Sequence, residues 1–123
     1  MEQEAYQIEY NQFVQNYKLG QVSGEQVGEL IMRMVQYYSD KNVSLAGRDE
    51  VLNKKAAEII MMVDEATDKQ ISAAKAEVLT KATQEYTSAA KTKAHLQNIE
   101  QCINALKSLQ RGILNEYSHM GGV

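Results

Sequence analysis

The residues able to do chemistry in this chain are few, and their spacing decides against most of it. Cys102 is the single cysteine and follows His95 by seven positions. On a helix that spacing puts thiol and imidazole on one face but about 10 Å apart along the axis. A cysteine–histidine nucleophile needs the two within hydrogen-bond reach. Two ligands also fall short of the four that a structural zinc takes, and His119 near the C-terminal end does not complete the set. Asp64, Glu65 and Asp68 form an acidic cluster of the kind that works as acid and base or holds a divalent cation. Here it falls where a helix is expected to begin, and acids belong at helix starts in any case. There is no glycine-rich phosphate loop, no nucleophile elbow and no HExxH. The sequence reads as a non-enzyme with no cofactor and no metal.

Charge points to a different kind of surface. Residues 1–50 carry eight acids against four bases, a local −4, and residues 51–123 carry nine bases against eight acids, a local +1. Arg48, Lys54, Lys55, Lys69 and Lys75, with Lys81, Lys91 and Lys93 beyond them, are the basic set able to follow a phosphate backbone. Several of them alternate with acids, which is also the pattern of a solvated helix face. Tyr6, Tyr10, Phe13 and Tyr17 recur at four, three and four residues. A base-stacking platform would need basic neighbours, whereas this stripe has Glu2, Glu4 and Glu9, so it is assigned to the core. Met32, Met34, Met61 and Met62 are likewise assigned to packing rather than to an adaptable binding surface.

The elements that position these residues are helical. The 123 residues contain no proline and no tryptophan, so nothing obliges a helix to stop. The fold class expected is all-α: a short N-terminal helix, then a long antiparallel helical hairpin or coiled coil, in a single domain over 1–123. Helices are expected at about 3–18, 24–65 and 68–118. Lys18 and Gly20 end the first. Ser23 and Gln26 make a capping box, with Val22 and Val27 as the hydrophobic staple, to start the second. Its seam runs through Ile31, Tyr38, Leu45, Leu52, Ile59 and Ala66. The polar patch Ser39-Asp40-Lys41-Asn42 and Gly47 mark where a kink would fall. Thr67 and Gln70 repeat the capping-box grammar, placing a tight reversal near 64–67 although no Gly or Pro stands there. From Ile71 a 4–3 alternation through Val78, Ala82, Ala89, Leu96, Ile103 and Ile113 to Tyr117 reads as one continuous coiled-coil seam.

Two helices alone leave the apolar end of that seam uncovered. Leu96, Ile99, Ile103, Leu106, Ile113 and Tyr117 are therefore expected to form the interface of a homo-oligomer. No apolar run reaches the ~20 residues of a membrane span, and the N-terminal MEQEAYQIEY has no signal-peptide pattern. A soluble cytoplasmic protein without membrane contact is expected.

Ala73-Ala74-Lys75-Ala76-Glu77-Val78-Leu79, followed by the stretch from Ile99-Glu100-Gln101-Cys102-Ile103 to Lys107-Ser108-Leu109-Gln110-Arg111-Gly112, resembles the UvsY-type recombination mediators of bacteriophages. The resemblance covers about residues 50–118 and is one of pattern. It implies a helical oligomer that binds single-stranded DNA and contacts a recombinase or a single-strand-binding protein, in the cytoplasm of a bacterial host. Where that family has a basic-aromatic segment before its long C-terminal helix, this chain has Ile60-Met61-Met62-Val63-Asp64-Glu65-Ala66. The rival expectations are a helical interaction module, such as a phage inhibitor of a host defence complex, and a small structural or scaffold protein.

Overall fold

The computed structural model describes the backbone of residues 3–121 and the side chains of residues 3–116. Among these residues the chain is mostly helical, with four helices and one small hairpin. In order they are α1 (Ala5–Lys18), α2 (Gly24–Ile60), β1 (Val63–Asp64), β2 (Lys69–Gln70), α3 (Ala73–Lys81) and α4 (Gln84–Gly121).

The local signals at the N-terminal end act as their chemistry requires. Gly20 takes a left-handed φ of 72°. Its N–H donates to the Tyr17 carbonyl and the Gln21 N–H to the Asn16 carbonyl, which satisfies the last carbonyls of α1. The Ser23 N–H donates to Gln26 Oε1 at 2.8 Å while the Gln26 N–H donates to Ser23 Oγ at 3.2 Å, the reciprocal bonds of a capping box. From there α2 runs unbroken through 39–47 to Ile60, so the polar patch and Gly47 cost helix propensity without ending the helix.

The second capping box does not form. Thr67 and Gln70 belong to an antiparallel hairpin in which Val63 pairs with Gln70 and Asp64 with Lys69. The reversal falls in the expected place, and aspartates do the work of the missing glycine. Asp64 Oδ1 accepts the Ala66 N–H at 2.9 Å, an Asx turn. Asp68 adopts a left-handed φ of 57°, which aspartate tolerates better than most residues. The Gln70 side chain, released from capping duty, donates to the Ile60 carbonyl at the end of α2.

The expected single helix from 68 to 118 is two helices. Ser72 caps α3, its Oγ accepting the Lys75 N–H. The chain then tightens at 80–83, where the Thr83 N–H and Oγ1 both donate to the Thr80 carbonyl. Thr83 restarts the helix by accepting the Tyr86 N–H on Oγ1 at 3.2 Å. A threonine able to cap therefore competes successfully with continuation. The break resets the register: α3 buries Ala76 and half-buries Leu79, while Val78, placed in the seam by the 4–3 count, is 68% exposed. From Ala89 onward the seam and the burial coincide, with Ala89, Thr92, Leu96, Ile99 and Leu106 all buried. Thr83→Ala removes the α4 cap and is expected to cost about 1 kcal/mol, read as a lower denaturant midpoint at unchanged slope.

Contacts divide the chain into two compact units. One takes the chain up to Asp40 and from Gln97 onward; the other is Lys41–Leu96. The first is a three-helix assembly. Its core joins Tyr6 of α1, Val27, Leu30 and Met34 of α2, and Ile99 and Leu106 of α4, with Tyr10, Phe13, Tyr37, Tyr38 and Ile103 packed around it. Here α2 and α4 are antiparallel neighbours: a Cβ on Gly24 would lie 3.4 Å from the Ile113 side chain, and one on Gly28 would lie 3.3 Å from that of Gln110. The second unit centres on Ile59, Ile71 and Ala76 with Leu79 against them. In it α2 and α4 are again neighbours, because the Arg48 guanidinium donates to Ser88 Oγ.

Candidate nucleic-acid interface

All five bases singled out from the sequence fall within Lys41–Leu96. That unit holds nine bases against eight acids, and the other unit holds four bases against eight acids, so the net charges are +1 and −4. The separation by contacts thus reproduces the separation by sequence halves.

The five bases are held differently. Arg48, on α2, donates through Nε to Ser44 Oγ at 3.2 Å and through its terminal nitrogen to Ser88 Oγ on α4. It therefore lies across a groove of about 420 Å³ walled by Gly47, Val51, Gln84 and Glu85. Lys54 pairs with Glu50 at 3.5 Å and Lys55 with Glu58 at 3.7 Å, each within α2. Lys75 of α3 reaches Asp64 of β1 at 3.4 Å. Lys69 of β2, with Lys91 and Lys93 of α4, is exposed and has no acidic partner among the described residues. Exposed pairs of this kind are worth only about 0–1 kcal/mol, so Lys54, Lys55 and Lys75 exchange a carboxylate for a phosphate at small cost. The structure does not gather the five onto one cradle: they are spread over α2, the hairpin and α3.

Comparison with protein-family models, with curated proteins and with solved structures finds no match. The functional reading therefore rests on the residues themselves.

The other residues with chemical potential are accounted for structurally. Asp64 is a turn-former, and its carboxyl is held below its ordinary value of 3.8. The Ala66 N–H contributes most to this and the Lys75 ammonium comes next. A carboxyl depressed on folding stabilises the fold above its unfolded pKa, and the contribution disappears as pH falls below that value. Acidification from about pH 5 to about pH 2 is therefore expected to loosen the hairpin, seen as a smaller protection of the Ala66 amide relative to its intrinsic exchange rate at each pH. Glu65 and Asp68 sit in the same turn, and among the described residues no three His, Cys, Asp or Glu side chains converge as metal ligands. Burial pushes the Cys102 thiol up, which lowers the thiolate fraction and with it nucleophilicity.

The face expected to bind a second copy is largely covered within the chain. Ile99 and Leu106 are core residues of the first unit, and Ile103 and Ile113 are half-buried against the same cluster. Leu96 is buried in the second unit. The third wall of the first unit is α1, whose Tyr6, Tyr10 and Phe13 supply the cover assigned to another protomer. Leu114 remains 61% exposed, and the side chain of Tyr117 lies outside the described residues. No helix among the described residues is long and apolar enough to cross a membrane.

Two surface features were not anticipated. Ile60, Met61, Met62 and Val63, where α2 ends and the hairpin begins, are four consecutive exposed apolar residues, Met61 at 71%. The assignment of Met61 and Met62 to packing is thus corrected, since the end of α2 at Ile60 carries both beyond the seam; Met32 of α2 and Tyr17 in the last turn of α1 are exposed as well, and of the four methionines only Met34 is buried. Tyr86, in the first turn of α4, is 36% exposed and is the only aromatic residue in Lys41–Leu96. Its signal in the sequence was the pairing of one aromatic with a lysine-rich stretch.

Proposed function

We propose that this chain is an oligomeric helical accessory protein of phage-type recombination or replication, which binds single-stranded DNA weakly and contacts a recombinase or a single-strand-binding protein. The observation that carries the reading is the concentration of bases in the unit Lys41–Leu96, four of which (Arg48, Lys69, Lys91 and Lys93) have no acidic partner among the described residues, while the acids dominate the other unit. A net +1 suits weak, salt-sensitive contact with a phosphate chain rather than tight sequence recognition. The resemblance of residues 50–118 to UvsY-type mediators supports the same direction.

The test is binding of an oligothymidylate to the full chain at low and moderate salt, with the mass of the protein measured in the same buffers. The expected result is measurable affinity at low salt that falls as salt rises, by a species larger than a monomer. Absence of binding at low salt overturns the DNA-binding part of the reading. A second reading, a helical module that acts only through protein contacts, is favoured by the exposed run Ile60-Met61-Met62-Val63, because contiguous exposed apolar surface marks interaction sites. A monomer at all concentrations tells against the oligomer.

A further inference from the structure

In the unit Lys41–Leu96, a groove of about 370 Å³ runs between α2, α3 and the start of α4. Its apolar lining is Leu52 and Ile60 with the small side chains of Ala56, Ala73 and Ala76, and Tyr86 lines it together with Lys81. The Lys81 ammonium pairs with Glu77 at 3.1 Å, and it is held above its ordinary basicity by Glu77 first and by the Tyr86 hydroxyl after it. Asn53 adds an amide on the α2 side. The volume lies in the range of small-ligand sites, and the three alanines leave room for a flat group beside the ring.

We infer that Tyr86 is a stacking site for one base of a bound single strand, with Lys81 taking the neighbouring phosphate. The inference rests on the single-strand reading above and assigns it a position. Sequence-tolerant single-strand sites combine an aromatic face with a cation for the backbone. Of the aromatics outside α1, Tyr86 lies in the basic unit and has a lysine at its side. The stripe Tyr6, Tyr10 and Phe13 fails on both counts, because it packs into the core of the acidic unit.

The experiment uses the full chain with Tyr86→Phe, Tyr86→Leu and Lys81→Gln, titrating fluorescein-labelled oligothymidylate at low salt. Phenylalanine keeps the ring, and its affinity is expected to stay within about twofold. Leucine keeps apolar bulk without a π-face, and its Kd is expected to rise about tenfold, in the lower part of what base–aromatic stacking contributes. Lys81→Gln is expected to flatten the slope of log affinity against log salt by about 0.7, the value for one phosphate on a single strand. Circular dichroism melting of the leucine variant, unchanged within error, separates lost stacking from lost folding. A leucine variant that binds as the unsubstituted protein does overturns the stacking site while leaving salt-sensitive DNA binding intact. Failure of the unsubstituted protein to bind at all overturns the reading beneath it.

Discussion

Ile99→Asp is expected to abolish the cooperative unfolding transition of the unit that contains α1. Ile99 is fully buried among Tyr6, Val27, Leu30, Met34 and Leu106, three helices that each supply apolar side chains and no cation to that cluster. Removing the isoleucine alone forfeits about 2–5 kcal/mol, the range for large-to-alanine changes in cores. The carboxylate then either ionises in an apolar interior or stays protonated without a partner, and each costs several kcal/mol more. Whole domains hold only about 5–15 kcal/mol, so the sum removes most or all of the stability. Ile103→Asp is the informative companion. Ile103 is half-buried on the same helix, its carboxylate reaches solvent, and a folded but weakened protein is expected. Far-UV circular dichroism against temperature reads both. Equal effects of the two substitutions would mean that burial does not alternate along α4 as the core requires.

How much of this was legible in the sequence depends on the distance over which each signal acts. The Ser23–Gln26 capping box and the Gly20 terminator are complete within a few residues, and both form. The seam from Ala89 to Ile113 was legible because an unbroken 4–3 pattern leaves a helix one face to bury. The failures came where two local solutions compete. Thr67-Asp68-Lys69-Gln70 satisfies the grammar of a helix start, but Asp64 and Asp68 satisfy that of a turn, and the turn prevailed with Gln70 tied back to the Ile60 carbonyl. Thr83 carries no distinct signal in the sequence, because a single threonine in a helical run is common. Only when Thr80 turns back to the Ala76 carbonyl and Thr83 collects the Tyr86 N–H does the break become visible. The candidate bases were legible as a set, but their pairing was not. Lys75 with Asp64 joins residues eleven apart in sequence through a hairpin that helical periodicity does not foresee.

Charge reversal in the basic unit is expected to have the second large effect. Arg48→Glu, Lys69→Glu and Lys91→Glu together change the unit's net charge from +1 to −5, since each substitution removes one positive charge and adds one negative. If the unsubstituted protein neutralises about five phosphates, its affinity falls with salt at a slope of about −3.5, or roughly a hundredfold between 50 and 200 mM. Loss of three contacts shortens that slope to about −1.4, and repulsion from three new carboxylates lowers the remaining affinity further, to below detection at moderate salt. Each of the three positions is exposed, so the fold is expected to survive, with a melting temperature within a few degrees of the parent. The control is Lys107→Glu with Arg111→Glu. These residues are also exposed and on α4, but they lie in the acidic unit. They move the total charge by four, against six for the triple variant. A protein that binds by net charge alone loses affinity in both variants roughly in that proportion. A protein that binds through the unit Lys41–Leu96 loses it in the triple variant and keeps most of it in the control, and that second result is the one expected.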